Sequence, residues 1–281
     1  MTAGASAATI SAHAVAREVL LRIVVLAKPV PDTTGQERLG PDRRVDRGGA
    51  ANVVNANDEY ALEAALKLVE AHGGEVELLA MAPAGGIETL RKALAMGAHR
   101  ATIVTDAPLA GADAISTARV LAAALATLDF DLAFAGADTS DGGGGIVPPA
   151  VAAHLGLPYL SYAGRIEPGP TGGTVRVHRL SPTGYDVIDA PMPALIACTQ
   201  ALGAPRYPSL KGIMAVRGKE IETLTLADLG FDPATVGGGA AATTVVDVQP
   251  PPPRPPTRIV RGSADEAAAA IVDFLVERRI I

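Results

Sequence analysis

Between Gly136 and Val147 the chain reads Gly136-Ala137-Asp138-Thr139-Ser140-Asp141, then four glycines from Gly142 through Gly143 and Gly144 to Gly145, then Ile146 and Val147. A glycine-rich turn ahead of a helix exposes backbone N–H groups at the positive end of the helix dipole, which suits a phosphate. Glycine also admits positive φ and lets a ligand come close to the backbone. Asp138 and Asp141 would repel phosphate, so they suit ribose hydroxyls, solvent or the ordering of the loop. Thr139 offers at most an auxiliary hydroxyl. A plain flexible loop is the competing reading of such a short motif. Upstream, Asn55-Ala56-Asn57-Asp58 stands where a helix begins, and the Asn55 carboxamide either caps that helix or hydrogen-bonds a ribose or base. No Ser/His/Asp or Cys/His triad is visible. Cys198, the single cysteine, lies in an apolar run and reads as an inert core residue. The histidines are scattered without metal-ligand spacing. The chemistry on offer is nucleotide binding, with no catalytic residue and no metal.

These groups need strands and helices to place them. Ile23 to Ala27, Glu75 to Met81, Ala101 to Val104 and Phe130 to Ala135 are apolar runs of strand length. Helical patterns from Asp58, Ile87, Asp113 and Ala150 follow each in turn. Such alternation predicts an α/β fold, a Rossmann-like parallel sheet covered on both faces. Right-handed crossovers put the loops Lys28 to Asp32, Ala82 to Gly86, Thr105 to Gly111 and Gly136 to Pro149 on one edge, where ligands gather. Val175 to Leu180 and Tyr185 to Ile188, joined through Ser181-Pro182-Thr183-Gly184, predict a small β-hairpin insert. Pro193 to Cys198 predicts a strand that returns to the sheet. The glycines 237–239 begin a change of composition, followed by a strand-like run from Thr243 to Val248 and the proline-rich stretch 250–256. Ser263 to Ile281 predicts a capped amphipathic helix. The expected layout is a mobile N-terminal extension over 1–21, a nucleotide-binding domain over 22–236, and an extended C-terminal arm ending in a helix over 237–281. That arm either folds back on its own sheet or embraces another subunit.

Composition sets limits. Aromatic residues are only 3% of a chain that is 48% hydrophobic, so the core must be aliphatic and rich in alanine. A formal charge of −6 argues against nucleic acid as a partner. No run approaches the length that spans a bilayer, and the first residues lack a basic and apolar leader pattern. A soluble protein of the reducing cytoplasm, without direct membrane insertion, is the expectation.

Four ordered blocks resemble the β-subunit of electron-transfer flavoproteins. They are Ile23 to Asp32, Asn55 to Glu63, Arg91 to Ala98 and Ala204 to Ala215. The resemblance implies an electron carrier with no bond chemistry of its own, paired with an α-subunit. FAD would be held mainly by the α-subunit and shared with this one, with AMP bound in this subunit. Electrons would arrive from acyl-CoA dehydrogenases or related flavoenzymes, as in fatty acid oxidation, and leave to a membrane quinone oxidoreductase. A bifurcating branch would place a second FAD here instead, with NADH oxidation only in that case. A universal-stress-type adenine-nucleotide-binding protein is the alternative from another class.

Carried over to this sequence, the nucleotide pocket would use Leu26, Asn55, Ala56, Asn57, Asp58, Met81 and residues Gly136 to Val147. Leu26 and Met81, at strand ends, would flank an adenine or ribose. The chain has Gly144-Gly145-Ile146-Val147 where the family commonly has Thr-Gly-Gln-Val, so phosphate contacts fall to backbone N–H groups. Leu202 matches the family's docking leucine, as an exposed knob or a buried strand-end residue. Arg206 belongs with a nearby basic cluster suited to partner docking.

Overall fold

The computed structural model describes residues 20–32, 34, 39–47, 51–249, 252–254 and 256–281. The expected extension over 1–21 therefore falls almost wholly outside the described residues, as do Pro250, Pro251 and Pro255. The chain divides into a unit that ends at Val245 and a second unit, Val246–Ile281.

In the first unit the strands are β1 (Leu21–Leu26), β2 (Pro29–Pro31), β3 (Asn52–Val54), β4 (Gly74–Met81), β5 (Arg100–Val104) and β6 (Leu132–Gly136). They continue as β7 (Tyr159–Pro168), β8 (Thr174–Ser181), β9 (Gly184–Pro191), β10 (Ala194–Cys198) and β11 (Glu222–Leu224). The helices are α1 (Ala56–His72), α2 (Ile87–Ala95), α3 (Ala114–Leu125), α4 (Val147–Leu155) and the short α5 (Leu210–Ala215). Nine strands form one sheet in the order β11-β5-β4-β1-β6-β10-β7-β8-β9. It is parallel from β11 through β7, and β8 and β9 continue it antiparallel as the expected hairpin. β2 and β3 make a separate antiparallel ribbon between β1 and α1.

The sheet is apolar on both faces because both are covered. Ile23 and Val25 of β1 join α1 and α2 in one cluster, whereas Val24 and Leu26 join α3 and α4 in the other. Alanines at 61, 64 and 65 let α1 lie close on the strands, and Phe134 places an aromatic ring fully buried in the sheet. From β1 the chain moves outward through β4 to β5, then crosses back to place β6 on the other side of β1. The strand order reverses there, which puts the carboxyl ends of β1 and β6 at the switch point where open parallel sheets bind ligands.

Two expectations change. α4 begins at Val147 rather than Ala150, with Pro148 and Pro149 in its first turn, where a missing N–H breaks no helical bond. Thr243 to Val248 forms no strand. Thr243 instead donates its N–H (2.9 Å) and hydroxyl (3.0 Å) to Asp113, the residue that caps α3. In the second unit, α6 (Ala264–Glu277) opens with a reciprocal capping box between Ser263 and Glu266, and none of its residues is buried.

Candidate functional site

Leu26 and Ala135 stand opposite each other where β1 and β6 end. Just beyond, the N–H groups of Lys28 and Gly136 turn toward one carboxylate. Lys28 N donates to Asp58 Oδ2 at 2.8 Å and Gly136 N to Asp58 Oδ1 at 3.0 Å. Asp58 sits in the first turn of α1, an acidic residue at the positive end of a helix, and is 5% exposed. Burial pushes its pKa up to about 7, against hydrogen bonds from Lys28, Asn55 and Gly136 and the nearby Lys28 charge. Glycine is required at 136. A Cβ there would collide with Asp58 Oδ1 and stand 2.9 Å from the Asn57 carbonyl carbon.

The start of α1 also fixes the loop after β6. Asn55 occupies the N-cap position but makes no capping bond. Its Nδ2 donates to the Asp138 carbonyl at 2.9 Å, and its Oδ1 accepts from the Ser140 N–H at 3.1 Å. Asn57 Nδ2 donates to Asp138 Oδ1 at 2.6 Å. The Asp141 side chain is 2% exposed and accepts from Lys28 Nζ at 2.7 Å and Arg47 Nε at 3.1 Å. Burial alone would raise the Asp141 carboxyl, but Lys28 and Arg47 outweigh it and hold the group below the usual carboxylate range. Asp141 therefore orders the loop.

Thr139 C=O accepts from Gly142 N (3.3 Å) and Gly143 N (2.7 Å), closing a turn. Gly143 and Gly145 take φ of +56° and +59°, open to glycine at little strain. Among the described residues the N–H groups of Gly144 and Gly145 donate to nothing, and both precede the first turn of α4. Pro148 and Pro149 carry no N–H, so the donors at this helix start come from the loop. Two unpartnered N–H groups on left-handed-capable glycine, in a loop that Lys28 and Arg47 brace through Asp141, suit one phosphate group.

The remaining expected pocket residues lie on β1, β4, α1, the loop after β6 and the start of α4. Leu26 is buried in the core and Met81 is half-buried two strand positions past Leu79, the partner of Leu26. Ala56 is the exposed first residue of α1, and the Ala137 N–H donates to the Cys198 carbonyl at 3.0 Å. Ile146 is exposed and Val147 half-buried at the start of α4. Cys198 itself is fully buried, and burial pushes its thiol pKa well up. Sequence reasoning passed over Lys28 and Arg47 as site residues. Lys28 carried a signal, as the first charged residue past β1; Arg47, in a long polar connection, carried none. A groove of about 860 Å³ lies instead at the amino edge of the sheet, between Arg22, Arg91 and Arg100. Arg22 pairs with Asp129 and Arg100 with Glu77, while Arg91 donates to the Val216 and Lys219 carbonyls.

Past β10, Thr199 Oγ1 donates to the Ala163 carbonyl at 2.9 Å and accepts from the Ala201 N–H. Leu202, in the following turn, is half-buried against the core. Arg206 binds back to α1. Its N–H and Nε reach Glu63 Oε2 at 3.1 and 2.7 Å, and its Nη2 reaches Glu70 at 3.0 Å. Next to this clamp, Tyr207 is 94% and Leu210 78% exposed.

The electron transfer flavoprotein domain model matches residues 43–229, which include Asp58, the glycine loop and Arg206. The electron transfer flavoprotein subunit beta of Thermoanaerobacterium thermosaccharolyticum is 35% identical over 263 residues, covering 93% of this chain and 100% of that protein. The chain belongs to the electron transfer flavoprotein β-subunit family. The subunit beta of Mycobacterium tuberculosis is similar at 36% over 225 residues, 78% of this chain and 84% of that one. The acryloyl-CoA reductase electron transfer subunit gamma of Anaerotignum propionicum is 31% identical, over 93% of this chain and all of its own length. Family membership makes this chain an electron transfer flavoprotein subunit, implies an α-subunit partner, and sets aside the stress-protein alternative. The family also implies association with flavin and nucleotide. Among the described residues no helix is long and apolar enough to cross a membrane, and no His, Cys, Asp and Glu cluster could hold a metal.

Proposed function

We propose that this subunit binds AMP at the β1–β6 crevice and, with an α-subunit, completes a one-FAD electron carrier between acyl-CoA dehydrogenase-type flavoenzymes and a quinone oxidoreductase. The observation that carries the reading is the pair of unpartnered N–H groups, Gly144 and Gly145, at the strand-loop-helix junction. The adenine and ribose would lie toward Leu26, Met81 and the Asn55 to Asp58 turn. FAD, when bound, supplies storage of the electrons. This chain's own residues hold the loop in shape: Asn55 and Asn57 fix Asp138 and Ser140, and Lys28 and Arg47 fix Asp141. Side chains that the family commonly offers at 144 and 146 are here Gly144 and Ile146, which favours the smaller nucleotide. A second FAD, with bifurcation, is the alternative.

Docking to the donor flavoenzyme is assigned to Leu202, in a turn held by Thr199 on one side and the Arg206 clamp on the other. The arm and α6 over 237–281 are assigned to the α-subunit. Denaturing the purified heterodimer and separating the released nucleotides tests the core of the reading. One FAD and one AMP per dimer is the expected result; two FAD would establish the bifurcating alternative, and no adenine nucleotide beyond one FAD would overturn the AMP site.

A further inference from the structure

Among the described residues β1 and β6 share no backbone bond beyond their carboxyl ends. Asp58 takes an N–H from both exits at once, while the Lys28 side chain reaches Thr139 and Asp141 farther along the loop. Asp58 takes the first free N–H past β1, from Lys28, on one oxygen and the last N–H of β6, from Gly136, on the other. Behind it, the Lys28 carbonyl accepts the Asn55 N–H at 3.0 Å, so the carboxylate, the β1 exit and the α1 start close one ring of contacts. The glycine at 136 exists to admit this carboxylate, since a Cβ would occupy its place. Asn55 and Asn57 then carry the same helix turn onto Asp138 and Ser140. The loop that presents Gly144 and Gly145 is therefore positioned from Asp58.

From this geometry we infer that Asp58 is the positioning residue of the nucleotide loop and that it acts only as the carboxylate. An ionised carboxyl accepts on both oxygens. A protonated one keeps one good acceptor and turns its hydroxyl against an N–H it had bound, so one strand exit is released. The charged and titratable groups acting on Asp58 are few. Lys28, from the β1 exit, favours the carboxylate, and Cys198, on β10, is held neutral by burial. Asp138 is engaged by Asn57, and Asp141 by Lys28 and Arg47. Burial brings the Asp58 titration to about 7, so the change of state falls in the neutral range.

The inference rests on the AMP reading for its functional readout, and the test separates the two. AMP binding to the nucleotide-stripped heterodimer is measured by equilibrium dialysis across neutral pH, for the native chain and for Asp58→Asn. The AMP phosphate titrates near pH ~6 itself, so the Asn variant is the reference. The native profile should carry a further loss of about tenfold as pH falls through the Asp58 titration. Asp58→Asn should lack that step and bind at the weak, low-pH level throughout. Parallel profiles would overturn the inference. Independently of any nucleotide, the Gly136 and Lys28 amide resonances of the native heterodimer should shift together with the midpoint of Asp58. Amides that stay still across that range overturn the inference even if Asp58→Asn does not fold. Amides that titrate in a heterodimer that binds no AMP uphold Asp58 and overturn the AMP reading alone.

Discussion

Asp58 and Glu63 lie on one helix, both buried, and their acidities are driven in opposite directions by what surrounds them. Asp58 is raised by burial, so its protonated form stabilises the fold below the unfolded value near 3.8. That contribution is lost as pH rises toward about 7. Denaturant unfolding should show this decline in the native heterodimer, and Asp58→Asn should remove it. Glu63 also suffers burial, but hydrogen bonds and charge from Arg206, with Lys67 behind them, hold its carboxyl below the usual range. Its contribution is present above the unfolded glutamate pKa and is lost as pH falls through the lowered one. Arg206→Ala should therefore flatten the acid limb and cost about 2 kcal/mol at neutral pH, read from the urea midpoint. Gly136→Ala tests the pin from the other side. The added methyl displaces Asp58, and a loss of about 1–3 kcal/mol in the same measurement is the expected outcome; an unchanged midpoint would show that the turn relaxes freely.

At the scale of elements, periodicity made the regular parts legible. Apolar runs of four to seven residues between turn signals became β1, β4, β5 and β10, and the alternation between Val175 and Ile188 became the hairpin. β7 escaped because only Leu160 and Ala163 of its ten residues are buried and its pairing shifts register at bulges on both sides. β11 is three residues long, and β2 contains two prolines, which argue against a strand until the ribbon proves to be isolated from the sheet. The loop proposed to bind the nucleotide was legible as a glycine run at a strand end, because glycine runs mark themselves. Its bracing was not, since Lys28 and Arg47 meet Asp141 across 113 and 94 positions of sequence. Gly143→Val separates backbone from space. A Cβ at 143 meets nothing within 4 Å, but φ is +56°. The variant should lose bound nucleotide through a changed loop backbone while unfolding within about 1–2 kcal/mol of the native heterodimer. Full retention of nucleotide would remove the loop from the site.

For the molecule as a whole, the two units have different characters. The first has a two-sided aliphatic core; in the second, α6 is well capped yet buries none of its residues. A helix with apolar side chains and no core of its own gains most from a partner. Removing Val260 to Ile281 should weaken heterodimer formation at least tenfold by analytical ultracentrifugation, while circular dichroism loses no more than one helix. Undiminished pairing would place the α-subunit contact elsewhere. The sheet's centre carries its own clock. Cys198 is the chain's only thiol, and it sits fully buried on β10, where its own carbonyl receives the Ala137 N–H of the glycine loop. A thiol so placed reacts with a soluble disulfide reagent only when the strand opens, so its labelling rate counts openings of the sheet beside the site. One chain thus comes with a built-in chemical stopwatch. Ligands that tighten the crevice should slow it, and ligands that bind elsewhere should leave its rate alone.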